Sequence, residues 1–162
     1  MHVKRSKLHS LARHLAMKFA LSVPQDFGEN FTYTKLFYGK FHDGKKDRFV
    51  TVEKYLEGEF VKYVNDDGAI NQGVNDEIKL KKAETFAHFT YIDSEQTIMV
   101  VDLQGVNFTL SDPEIASKNT YDESSNKMYF CSGNWGEEAI QKFLKAHVCN
   151  ERCKYVGKKQ GE

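Results

Sequence analysis

Residues Thr97 to Leu103 read Thr-Ile-Met-Val-Val-Asp-Leu, a nearly unbroken apolar run of strand length. A half-exposed strand alternates apolar and polar side chains, so a run apolar on both faces has to be covered on both. Other elements must therefore be layered on either side of this segment, and its end delivers Asp102, Gln104 and Gly105 to a sheet rim.

Two segments can supply the cover. Leu8, Leu11, Ala12, Leu15, Ala16 and Phe19 recur at three- and four-residue spacing, which predicts an amphipathic helix ending before Pro24. Asn75 or Asp76 can cap a second helix running to about Tyr91, with Ile78, Ala83, Phe86, Ala87 and Tyr91 inward and His88 in its last turns. Between them, Lys35 to Phe41 and Arg48 to Leu56 are aromatic and β-branched, and the polar stretch His42 to Asp47 suits a hairpin turn. Phe60 to Val64 reads as a short strand broken by Asn65-Asp66-Asp67-Gly68, with a surface loop to about Asn75. Ser117 to Lys127 is polar and reads as a flexible segment, and Gly133-Asn134-Trp135-Gly136 opens a helix from Glu137 to about His147. The fold class is α+β in a single domain, residues 1–162.

Lys plus Arg (23) balance Asp plus Glu (23), so no basic field attracts nucleic acid or anionic lipid. No apolar run approaches the roughly 18–20 residues of a membrane span. The first twenty-five residues carry Lys, Arg and Ser, but Arg13 and Lys18 interrupt any signal-like apolar core, so they read as a folded helix. Three cysteines make no disulfide framework, and Cys149 and Cys153 lie beside a histidine, which suits a metal in a reducing, cytoplasmic compartment.

His147, Cys149 and Cys153 offer one imidazole and two thiolates, a soft set for tetrahedral Zn²⁺. Spacing leaves His88 and Cys131 open as the fourth ligand; His2, His9, His14 and His42 sit in exposed-looking contexts. Asp102, Gln104 and Asp112 are oxygen donors near one rim, suited to Mg²⁺ held with nucleotide phosphates, and a free carboxylate could orient a hydroxyl nucleophile. Those carboxylates alone would also serve a Mg²⁺-dependent phosphohydrolase, and Asp112 would equally cap a helix beginning at Pro113. Lys62 could neutralise phosphate or simply solubilise an edge strand.

Taken in order, Val52-Glu53-Lys54-Tyr55-Leu56-Glu57-Gly58-Glu59-Phe60, His88, Val101-Asp102-Leu103-Gln104-Gly105, Ser111-Asp112-Pro113, Gly133-Asn134-Trp135-Gly136-Glu137-Glu138 and the His147-x-Cys149-x-x-x-Cys153 ending resemble the alpha-type protein kinases. The resemblance runs from about Lys7 to Tyr155. It implies a protein-kinase-like C-terminal lobe, part of an N-terminal lobe, and a structural zinc site on His88, His147, Cys149 and Cys153, leaving Cys131 outside. It implies that Glu53, Tyr55 and Leu56 belong to a hinge holding adenine, that Asp102 orients the substrate hydroxyl, and that Lys62 neutralises phosphate. Gln104 and Asp112 would hold Mg²⁺ against ATP, and Asn134 would shape the catalytic and peptide-binding cleft.

The implied activity is ATP-dependent phosphorylation of serine or threonine in a protein substrate. Two departures from the family pattern stand out. Cys131 replaces a usual glycine, and the upstream strands that carry a phosphate-gripping lysine are lacking, with Lys4, Arg5 and Lys7 preceding a helix and no strand to aim them. A catalytically inactive fragment or zinc-stabilised binding module is the alternative these departures raise.

Overall fold

The computed structural model describes residues 2–124, 127–130 and 132–156, with side chains described from Arg5 onward. Helix α1 (His2–Ser22) leads through a 3₁₀ turn to β1 (Thr32–Tyr33), β2 (Leu36–His42), β3 (Asp47–Glu53) and β4 (Phe60–Val64). Helix α2 (Glu77–Asp93) precedes β5 (Ile98–Val101), β6 (Leu103–Val106), β7 (Thr109–Leu110) and β8 (Glu114–Ser117). A small hairpin, β9 (Tyr121–Asp122) and β10 (Lys127–Met128), is followed by α3 (Gly136–Ala146) and a 3₁₀ segment, Glu151–Tyr155.

Helix α1 forms where its apolar period demands, and it runs further toward the N-terminus than the pattern from Leu8 indicates. Its residues Leu8, Ala12, Leu15, Ala16 and Phe19 are buried, and Phe19 meets α2, with Phe19 and Phe89 ring centroids 5.0 Å apart. Asp76 caps α2 by accepting a 2.9 Å hydrogen bond from the Lys79 amide, satisfying a first-turn donor that has no helical partner. The inward face of α2 is Leu80, Ala83, Phe86, Ala87, Phe89 and Thr90; Ile78, expected inward, is exposed because it sits in the first turn, ahead of the packed stretch.

The apolar run from Thr97 is not one strand. Asp102 takes a left-handed backbone (φ 52°) and hands the chain from one sheet to another. β5 pairs antiparallel with β8, whereas β6 joins the four-stranded sheet β1-β7-β6-β4, in which only the β1–β7 pair is parallel. The expectation of double-sided burial holds on both sides of the break: Met99, Val100, Val101 and Leu103 are fully buried. A positive φ is costly for most residues but tolerable for aspartate, so the switch falls on the one charged residue of the run.

Two further expectations change. Pro113 starts no helix, because Glu114–Ser117 pairs with β5 as a strand. The polar stretch after Ser117 holds the β9–β10 hairpin, registered Lys127 to Asp122 and Met128 to Tyr121. The β2–β3 hairpin is as expected, but β3 ends at Glu53 and Lys54 to Leu56 leave the sheet. Among the described residues no helix is long and apolar enough to cross a membrane.

Candidate functional site

Asp102 is the hub of one cluster. Strand β4 pairs with β6 so that Lys62 lies opposite Gln104 and, past a bulge, Val64 lies opposite Leu103. That register sets both polar side chains beside Asp102: Lys62 Nζ is 2.6 Å from Oδ1, and Gln104 Nε2 donates to Oδ2 at 2.8 Å. The Asp102 amide donates to the Asn65 carbonyl, tying the strand switch to the 65–68 turn. Burial pushes the Asp102 carboxyl above the ordinary carboxylate range; Lys62 pulls it down, and Asp66 and Asp112 add to the rise. The result is a carboxylate with unusual affinity for a proton.

Asp112 reaches the same rim through the tight β6–β7 hairpin, where Gly105 pairs with Leu110 and the Ser111 amide donates to the Gln104 carbonyl at 3.0 Å. Space here is minimal: a Cβ on Gly105 would come within 2.1 Å of the Thr109 carbonyl oxygen. Arg5 answers Asp112, with Nη2 3.1 Å from Oδ1 and 3.3 Å from Oδ2, and lies 3.9 Å from Glu114 Oε1. Arg5 is thus aimed after all, by helix α1 rather than by a strand, whereas the Lys4 side chain lies outside the described residues. Gly133 packs on the buried Glu114 carboxylate, where a Cβ would stand 2.5 Å from Cδ. The only sequence signal at Glu114 is a charge beside the apolar pair Ile115-Ala116.

A cleft of about 210 Å³ opens between α1, the β2–β3 hairpin and the Asp112 rim, lined by Arg5, His9, Leu36, Thr51, Glu53, Asp112 and Pro113. Glu53 is held there by a 2.6 Å hydrogen bond from Thr34 Oγ1. His9, expected to be exposed, is buried against Tyr33, with Nε2 3.9 Å from Glu53 Oε2. The reason is the turn of α1 that carries Leu8 and Ala12 inward, which takes His9 with it to the hairpin. Tyr55 is largely exposed and Leu56 half-buried. Asn134 is buried and fully engaged: Oδ1 accepts from the Ser117 and Gly136 amides, and Nδ2 donates to Ser117 Oγ and the Tyr129 carbonyl. Its side chain braces β8 against the start of α3.

The second cluster lies at the far end of α2. Donor atoms of His88, His147, Cys149 and Cys153 all lie within 4.8 Å of one another. Cys153 Sγ is 3.4 Å from His147 Nε2, and Cys149 Sγ is 3.7 Å from His88 Nδ1. Bond lengths near 2.0–2.3 Å in a tetrahedral Zn²⁺ site put neighbouring donors roughly 3.3–3.8 Å apart, so these residues fit the ion. Burial raises the Cys153 thiol, but hydrogen bonds from His147, His88, the Asn150 turn and Thr85 outweigh it and hold the group toward thiolate, the ligating form. Cys131, the other candidate for the fourth ligand, lies outside the described residues.

The sequence model of the alpha-kinase family matches residues 1–153. Mouse transient receptor potential cation channel subfamily M member 6 is 38% identical over 107 residues, 66% of this chain and 5% of that protein. Myosin heavy chain kinase B of Dictyostelium discoideum is 36% identical over 110 residues, 68% of this chain and 13% of that protein. This chain therefore spans only a small part of these curated relatives. Among solved structures, the alpha-kinase domain of myosin heavy chain kinase A in complex with ADP is similar with a TM-score of 0.79 and 26% identity, over 96% of this chain and 58% of that one. The kinase-like α+β architecture is common to both, and with the family's sequence pattern running through almost all of its residues the chain belongs to the alpha-kinase family.

Proposed function

We propose that these residues form one alpha-kinase unit, a C-terminal lobe with the end of an N-terminal lobe, whose chemistry is transfer of the ATP γ-phosphoryl group to a serine or threonine hydroxyl of a protein. The observation that carries this reading is Asp102 held between Lys62 and Gln104 on one sheet rim. Phosphoryl transfer asks the protein for position and charge rather than covalent chemistry. Asp102 accepts a hydrogen bond from the incoming hydroxyl and takes its proton, a task its raised proton affinity favours. Lys62, already within contact of that carboxylate, neutralises phosphate charge.

Gln104 and Asp112 would hold Mg²⁺; both offer hard oxygen donors, and Asp112 already receives a cation, Arg5. When bound, Mg²⁺ supplies charge neutralisation on the phosphates. The Glu53, Tyr55 and Leu56 stretch would meet adenine chiefly through its backbone, beside the cleft that Glu53 lines, with Asn134 shaping the peptide side by bracing β8 on α3. Zn²⁺ on His88, His147, Cys149 and Cys153 has all four positions filled by protein, so its role is structural. The two free thiols there suit a reducing, cytoplasmic setting.

One observation favours a catalytically silent binding module as the second reading. The β2–β3 hairpin stands as a two-stranded sheet, and the register puts Phe37, Phe41, Val50 and Val52 on one exposed face. A lone hairpin is marginal in water, and this exposed apolar face is a surface that a partner could cover. Phosphate incorporation from Mg-ATP into a basic protein substrate separates the two readings. The kinase reading expects Asp102→Ala to cut incorporation by about 10²- to 10⁴-fold; equal incorporation by both proteins removes Asp102 from the chemistry, and none from either favours the silent module.

A further inference from the structure

Helix α2 contributes more to the metal cluster than His88. Glu84 lies one turn before His88, and its Oε2 is 2.7 Å from His147 Nδ1, with both side chains nearly closed to solvent. The other ring nitrogen, Nε2, is the one that faces the cluster, 3.4 Å from Cys153 Sγ. Phe143 stacks on the imidazole, with centroids 5.1 Å apart and planes 19° from parallel. The next residue, Thr85, places Oγ1 3.7 Å from Cys153 Sγ and 3.3 Å from Asn150 Oδ1.

From this geometry we infer that Glu84 is a positioning residue of the metal site: it takes the Nδ1 proton of His147 as a hydrogen bond and so presents Nε2 as the free lone pair for the metal. The inference rests on the zinc reading of the cluster. A neutral imidazole has one N–H and one lone pair, and either nitrogen can carry the proton. A carboxylate at Nδ1 selects the tautomer with Nε2 bare, holds the ring in its plane and makes Nε2 a stronger donor. His88 has the opposite polarity, offering Nδ1 toward Cys149, so the two imidazoles are used through different nitrogens. Glu84 also brings a carboxylate to the side of the cluster, next to the His147 ring that faces it.

The test is metal affinity of the full chain, stripped and then titrated with Zn²⁺ in competition with a chromophoric chelator, and in parallel with Co²⁺ followed by its visible absorption. Glu84→Ala is expected to weaken both metals 10- to 100-fold. Glu84→Gln keeps the shape and an acceptor oxygen, so its loss should be smaller, and it stands in should the alanine variant not fold. Wild-type affinity in both variants, within twofold, would overturn the inference even if they melt at lower temperature, since that pattern belongs to a helix contact alone. No Zn²⁺ or Co²⁺ binding by the unaltered chain would defeat the metal reading itself.

Discussion

At His9, burial and charge pull against each other. Burial lowers the imidazole pKa below its usual 6.5, Glu53 and Asp112 raise it, Arg13 lowers it further, and burial prevails. As pH falls, the unfolded chain takes up this proton first, so stability from a neutral His9 is complete above about pH 6.5 and is lost as pH drops through the lower folded value. His9→Gln should therefore flatten the decline in urea midpoint from about pH 7 to about pH 5; an unaltered slope would show that other groups govern acid sensitivity. Arg5 belongs to the same neighbourhood and bridges Asp112 and Glu114. If the Arg5 cation also faces the ATP phosphates, Arg5→Gln should weaken nucleotide binding about 5- to 30-fold, on the order of 1–2 kcal/mol, measured by fluorescent ATP-analogue titration.

Elements explain why these residues meet. The β6–β7 hairpin turns at Asn107 and Phe108, so Gln104 and Asp112, eight positions apart, share one rim. Gly105 is the narrow point of that hairpin. Gly105→Ala is expected to cost about 1–3 kcal/mol because the new methyl meets backbone, which cannot rotate away. Urea unfolding should register that loss, and phosphoryl transfer should fall with it, since Gln104 and Asp112 ride on the displaced strands. Helices α1 and α2 were legible from their apolar period, as the burial of Leu8, Ala12, Leu15, Phe19, Phe86 and Ala87 bears out. The break at Asp102 was not, because an apolar run reports burial and not which sheet does the burying.

Across the whole molecule, the His88, His147, Cys149 and Cys153 cluster brings the 3₁₀ segment Glu151–Tyr155 against α2, with Cys153 buried at the contact. Cys153→Ser is expected to lower bound zinc below one equivalent and to destabilise by about 2 kcal/mol or more, roughly 4–8 °C in Tm for a chain of this size. Full zinc content with an unchanged melting curve would count against a structural role. What the sequence determined by itself was local or periodic: most of the two helical faces, the β2–β3 turn, the burial of the run from Thr97, and the spacing of His147, Cys149 and Cys153, because each is written in residues a few positions apart. Tertiary structure alone decided that Lys62 reaches Asp102, that Arg5 reaches Asp112 across 107 positions, and that Glu84 backs His147. Those contacts depend on how separate elements pack, and a side chain's neighbours across a packed interface follow from the summed geometry of several elements rather than from the spacing within any one of them.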